Sequence, residues 1–182
     1  MSAQKALKVK PLQGAVTPGK GTSHTTDYIG VNRMSSAQAS TDTTTEQRIA
    51  ALAKHLGCGI DEVSTSRYDD ETFEACGGEY LVLTDDEADE RAEREIKESL
   101  WAFRAEFIAS HSTNGWSDEC VKSLEKMQGE LCESANPIIE ALIKDMDHFI
   151  SDAISADGRG HFISRYDSEE NEEGEFYIYR TN

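Results

Sequence analysis

The chain has 182 residues, 37% of them hydrophobic and 29% charged, with a net charge of −17 and an isoelectric point near 4.6. That length accommodates one domain with a core and leaves room for a tail. No stretch approaches the roughly 20 apolar residues of a membrane span, and the acid surplus argues against ordinary nucleic-acid binding by the folded part, because proteins neutralise phosphates with Lys and Arg.

Residues 1–44 are rich in Ser, Thr, Gly and Lys without hydrophobic period, and are expected to form a flexible, mildly basic tail. Up to residue 45 the chain carries five Lys or Arg against two Asp, a net of +3, which leaves −20 on the remainder. Lys5, Lys8, Lys10 and Lys20 could touch DNA, and Tyr28–Val31 could be a short docking strand. The opening lacks the apolar run of a signal peptide, so a cytoplasmic protein is expected. Gly14–Lys20 nearly spells a phosphate-binding loop, but Gly21 stands where magnesium coordination needs Ser or Thr, and no buried strand precedes it.

An acidic domain is expected over 45–182. Ile49, Leu52, Ala53 and Leu56 lie at helical spacing before Gly57. Glu62–Tyr68 reads as a strand, and Thr72–Cys76 and Glu79–Leu83 as a hairpin turning at Gly77-Gly78. Thr84 and Glu87 form a capping box. Ala88, Ala92, Ile96, Leu100, Phe103 and Phe107 then predict one long helix, ended near His111. Ser117 caps a second helix through Leu131, and Asn136-Pro137 opens a third whose apolar stripe runs from Ile139 to Ile154. His161–Tyr166 and Glu175–Arg180 read as closing strands around an acidic loop. The order implies an α+β fold, an antiparallel sheet of about four to five strands, with hairpins near 72–83 and 161–180, one face packed against three to four helices.

The chemistry-bearing residues give few complete patterns. The run from Asp167 to Glu175 has neither the sixth-position Gly nor the twelfth-position Glu of an EF-hand. Asp145, His148 and Asp152 share a helical face, but with no second segment supplying ligands they fall short of a metal site, and no cofactor or metal is expected. His161 follows a glycine-flanked Arg159 and could serve an enzyme, although it reads more simply as the start of a strand. The four cysteines form no C-x-x-C pair and read as reduced thiols, with Cys120 and Cys132 as small fillers on the second helix. What stands out are the acids: Asp85, Asp86, Asp89, Glu90, Glu93 and Glu98 on one helix, and Asp167, Glu169, Glu170, Glu172, Glu173 and Glu175 in one loop. Carboxylates on a rigid frame can stand in for phosphates, so Asp85, Asp86, Asp89, Glu90, Glu93, Asp167, Glu169, Glu170, Glu172 and Glu173 are the candidate partner-binding residues.

Four strings, Glu79–Glu90 (EYLVLTDDEADE), Ser99–Phe103 (SLWAF), Ser155–Phe162 (SADGRGHF) and Glu172–Asn182 (EEGEFYIYRTN), carry a resemblance from Gly78 to the end. Over that span the chain resembles a family of small phage- and prophage-encoded proteins of mostly unassigned function. The resemblance implies a mobile-element setting, where small acidic proteins are often anti-CRISPR or anti-restriction inhibitors. The resulting expectation is a non-enzymatic inhibitor whose acidic faces occupy the basic nucleic-acid groove of a host protein such as a Cas9-type effector. The alternatives are a small enzyme around His161 and Arg159, or an assembly protein that dimerises through an apolar patch around Trp101 and Phe107. Oligomeric state, monomer or homodimer, is left open.

Overall fold

A computed structural model of the chain describes residues 36–182, apart from residues 68 and 114, with side chains from residue 44 onward. The lysines of the expected tail and Tyr28–Val31 lie outside the described residues. The first helix, α1 (Ser36–Leu56), extends upstream of Thr45, into the segment read as tail, and ends at Gly57.

The expected α+β architecture is present, and its sheet is antiparallel throughout. Its strands are β1 (Ser64–Thr65), β2 (Thr72–Ala75), β3 (Gly78–Leu83), β4 (Asn171–Glu173) and β5 (Phe176–Arg180), ordered β1-β2-β3-β5-β4. The first hairpin turns one residue earlier than expected. Cys76 and Gly77 both take positive φ, 51° and 77°, while Gly78 pairs with Ala75 as the first residue of β3. Two consecutive positive φ values match the right-handed twist of the flanking strands.

β3 is buried along nearly its whole length because both faces of the sheet are covered, rather than the single face expected. Tyr80 and Val82 point to one side, where Phe73, Ala75, Phe176 and Ile178 pack with Leu52 and Ala53 of α1. Leu81 and Leu83 point to the other, against Tyr179, Ile163, and Ala88 and Ala92 of α2 (Asp85–Glu98). The period-2 alternation of a strand thus feeds two cores.

A third core lies among the helices that follow: α3 (Ala105–Ser110), α4 (Asp118–Leu131), α5 (Asn136–Leu142) and α6 (Met146–Asp157), around Ile96, Leu100, Ile108, Leu124, Ile139 and Phe149. The predicted long helix over 88–107 is broken at Ser99. The Ser99 hydroxyl donates to the Glu95 carbonyl at 2.6 Å, and the chain continues as a single 3-10 turn, Leu100–Ala102, before α3. Side chains from distant helices satisfy the backbone released there. Asn136 accepts from the Trp101 amide and donates to the Glu98 carbonyl, while buried Gln128 donates to the carbonyls of Trp101 and Phe103 at 2.9 and 2.7 Å. The predicted third helix is likewise two helices. The chain is extended at Ile143, and Asp145 caps α6 by accepting from the His148 amide.

Residues 161–166 do not form the expected strand. His161 lies within a short helix, α7 (Arg159–Ile163), so the second hairpin is β4–β5, turning at Gly174. Cys120 and Cys132 are exposed, not core fillers. Trp101 and Phe107 are half-buried against the helical core, whereas the exposed large apolar residues among those described are Ile60, Leu131, Ile138 and Tyr166. The patch required by the assembly alternative is therefore not at Trp101 and Phe107. No described helix is long and apolar enough to cross a membrane.

One ion pair ties the layers together. Arg48 of α1, its side chain 7% exposed, donates to both carboxylate oxygens of Glu87 on α2 at 2.6 and 2.8 Å, and also to the Val82 carbonyl of β3. Its guanidinium lies 5.6 Å from the Phe176 ring centroid. Glu87 simultaneously closes the capping box by accepting from the Thr84 amide at 2.7 Å. Desolvation works against the Glu87 charge, but Arg48 and Thr84 outweigh it and hold the carboxyl below its ordinary value. Replacing Arg48 by Met strands a half-buried carboxylate and should cost about 3 kcal/mol in urea unfolding. Because the folded-state value is depressed, Glu87 contributes stability above the ordinary glutamate range, and that contribution is lost as pH falls through the folded value. Glu87→Gln should therefore be less stable than the wild type by about 1–2 kcal/mol at neutral pH, with the gap closing below the ordinary glutamate range as the wild-type carboxyl protonates.

Candidate functional site

The two acidic segments, far apart in sequence, meet through one residue. Gly158, at φ 80°, ends α6 and redirects the chain so that Arg159 opens α7 beside α2. The Arg159 guanidinium donates to Asp85 at 2.8 Å and Asp89 at 2.9 Å on α2, and to the two oxygens of Glu170 at 3.0 and 3.1 Å. It stacks over Tyr177 of β5 at 4.3 Å, and its side chain is 11% exposed. Partial burial opposes its charge, but the hydrogen bonds to Glu170, Asp85 and Asp89 prevail and hold it above the ordinary guanidinium range. Tyr179, fully buried, donates its hydroxyl to Glu170 at 2.6 Å; burial and then that bond push the phenol well up.

The loop before β4 is packed down closely. A Cβ on Gly160 would lie 2.7 Å from the Ser168 carbonyl oxygen and within 3 Å of the backbone at Glu169 and Glu170, so the loop crosses directly over α7. Ser164, buried, donates to Asp167 at 2.6 Å, and the Glu169 amide donates to the same carboxylate. Desolvation raises Asp167, but these donors prevail and lower it.

The ten candidate acids therefore divide. Asp85, Asp89 and Glu170 are held by Arg159, Glu93 pairs with Lys97, Glu173 with Lys54, and Asp167 is committed to its own loop. Among the described residues Asp86 and Glu90, adjacent on α2, and Glu169 and Glu172, on the loop and β4, are exposed and carry no ion pair. Glu98 and Glu175 are likewise exposed, outside that set of ten.

His161 is exposed at the mouth of a groove of about 600 Å³ lined by Phe103, Arg104, Phe107, Asp157 and Phe162 among others. Arg159, its expected partner in an enzyme, is directed instead into the acid cluster.

The structure also supplies what Asp145, His148 and Asp152 lacked. Asp145 is used as a cap, but His148 and Asp152 of α6 are joined by His111 at the end of α3, and the three groups offer one donor atom each within 4.8 Å of one another. His111 was legible only as a helix terminator. Its approach to α6 depends on the Ser112–Ile143 bridge and the Lys144 amide donating to the His111 carbonyl at 2.9 Å. Cys58 and Cys76 are also brought together, and desolvation with the neighbouring thiol raises Cys58.

The chain matches no family model, no curated protein and no solved structure.

Arg159→Met would leave three carboxylates facing one another. We expect a loss of about 1–3 kcal/mol in denaturant unfolding, partly restored by added salt. Hydrogen exchange should accelerate across 167–173 while the α1 face of the sheet stays protected.

Proposed function

We propose that the protein is a non-enzymatic, phage-type inhibitor of a host defence nuclease, either an anti-CRISPR protein against a Cas9-type effector or an anti-restriction protein. It binds a Lys/Arg-lined nucleic-acid groove through its acidic surface. The observation that carries this reading is the Arg159 junction, which joins the start of α2 and the loop before β4 into a single rigid surface. Rigid carboxylates lose little freedom on binding, and a nucleic-acid groove is built to receive closely spaced negative charge. The contacts belong chiefly to Asp86, Glu90, Glu169 and Glu172, the acids that no internal cation neutralises among the described residues. The resemblance of residues 78–182 to phage-encoded proteins supports the host-defence setting.

Inhibition of a purified Cas9-type effector and of a restriction nuclease by the full chain tests this. Glu169→Lys with Glu172→Lys, both exposed positions, should weaken binding about 10-fold and flatten its salt dependence. Full inhibition by that variant would remove the surface from the mechanism. The basic residues Lys5, Lys8, Lys10 and Lys20 are assigned at most an auxiliary DNA contact. Deleting residues 1–35, which leaves α1 whole, should abolish retention on DNA without reducing inhibition.

A further inference from the structure

We infer that His111, His148 and Asp152 form a binding site for a divalent transition-metal ion of the Zn²⁺ class. This inference is independent of the acidic-surface reading, since it uses none of those carboxylates.

The His111 side chain is 8% exposed, and its ring packs against Phe107 and Phe149 at centroid distances of 4.5 and 5.2 Å. Its Nδ1 lies 2.9 Å from the Phe107 carbonyl oxygen. A carbonyl can only accept, so Nδ1 carries the proton. The Ser110 hydroxyl, 3.1 Å from Nδ1, has the same carbonyl as its nearer acceptor at 2.7 Å. A neutral imidazole then presents a bare lone pair at Nε2, and that atom faces the Asp152 carboxylate at 3.1 Å. Two acceptors pointed at each other are reconciled by a proton on Nε2 or by a metal ion between them. A backbone carbonyl fixing the tautomer and orientation of a histidine is also the usual outer support of a metal-ligating ring.

The remaining geometry suits a metal. Tetrahedral coordination with bonds of about 2.05 Å places donor atoms about 3.3 Å apart. Asp152 Oδ2 stands 3.1 Å from His111 Nε2, its Oδ1 stands 3.6 Å from His148 Nδ1, and one donor atom from each of the three residues lies within 4.8 Å of the others. The His148 side chain, 64% exposed, is free to rotate towards the other two. His148 and Asp152 are four residues apart on α6 and therefore share a face, while His111 enters from α3. Two imidazoles and one carboxylate select Zn²⁺, Co²⁺, Ni²⁺ or Fe²⁺ over Ca²⁺ and Mg²⁺, which prefer all-oxygen sets. Three protein donors would leave a coordination position for water or a ligand, and the three residues line a depression of about 450 Å³ together with Ser110, Ser112, Lys144 and Asp145. The exposed Lys144 ammonium can extend into water on its long stem.

An imidazolium proton would satisfy the same His111–Asp152 pair, and titration of the full chain with Co²⁺ under reducing conditions distinguishes the two. We expect one ion bound per chain, a visible spectrum of nitrogen and oxygen ligands without a thiolate charge-transfer band, and binding at least about 10-fold weaker in both His148→Ala and Asp152→Asn. His148 is exposed, so its removal leaves the core intact. Absence of binding up to about 1 mM, a thiolate band, or affinity unchanged in both variants would overturn the assignment.

Discussion

A guanidinium buried between a helix and a sheet must find acceptors for its donors, and Arg48 finds them on the two elements that its own helix has to meet. Its contact with Val82 sets α1 against the central strand. Its bidentate contact with Glu87 reaches the first turn of the helix that covers the opposite face. Apolar packing on either face would tolerate sliding, because burial is not directional. A planar fork matched to one carboxylate and one carbonyl does not tolerate it. Glu87 is constrained in the same way, since it also closes the cap that starts α2.

Arg159 repeats this logic at the far end of α2. It links α2, the loop before β4 and the Tyr177 ring of β5. In a domain with so large an acid surplus, these two cations are placed where they join layers, while the remaining acids stay outside. The negative surface is consequently smaller and more ordered than the net charge implies. Acids that hold the fold together could not also serve a partner without weakening that junction, which is why the proposed contacts are assigned to the unpaired residues on either side of Arg159.

How much of this was legible in the sequence depended on how local its cause was. The Thr84–Glu87 capping box and the first hairpin rest on residues a few positions apart, and both formed as read, the turn shifting by one residue. The break at Ser99 has no local breaker such as Pro or Gly. It is stabilised by Asn136 and Gln128, which reach the freed backbone from helices that follow. The apolar spacing runs on through the break because Ile96 before it and Leu100, Phe103 and Phe107 after it pack in the helical core, while Ala88 and Ala92 face the sheet. His161–Tyr166 alternates like a strand, yet β5, its expected partner, already pairs with β3 on one side and with β4 on the other. Gly160, just before that segment, instead provides the close crossing of backbone on backbone.

The His111 cluster was hidden for a related reason. Spacing along one helix exposes pairs such as His148 and Asp152, but a third ligand arriving from another element leaves no periodic trace. The same separation gives the cluster its chemical character. Exposed carboxylates of this acidic chain attract cations only diffusely, through a screened field. A desolvated imidazole with its Nδ1 proton already committed can meet an ion only through a fixed lone pair. The difference between diffuse attraction and a coordinating site therefore lies in the Phe107 carbonyl and the aromatic packing behind His111, not in the number of acids nearby.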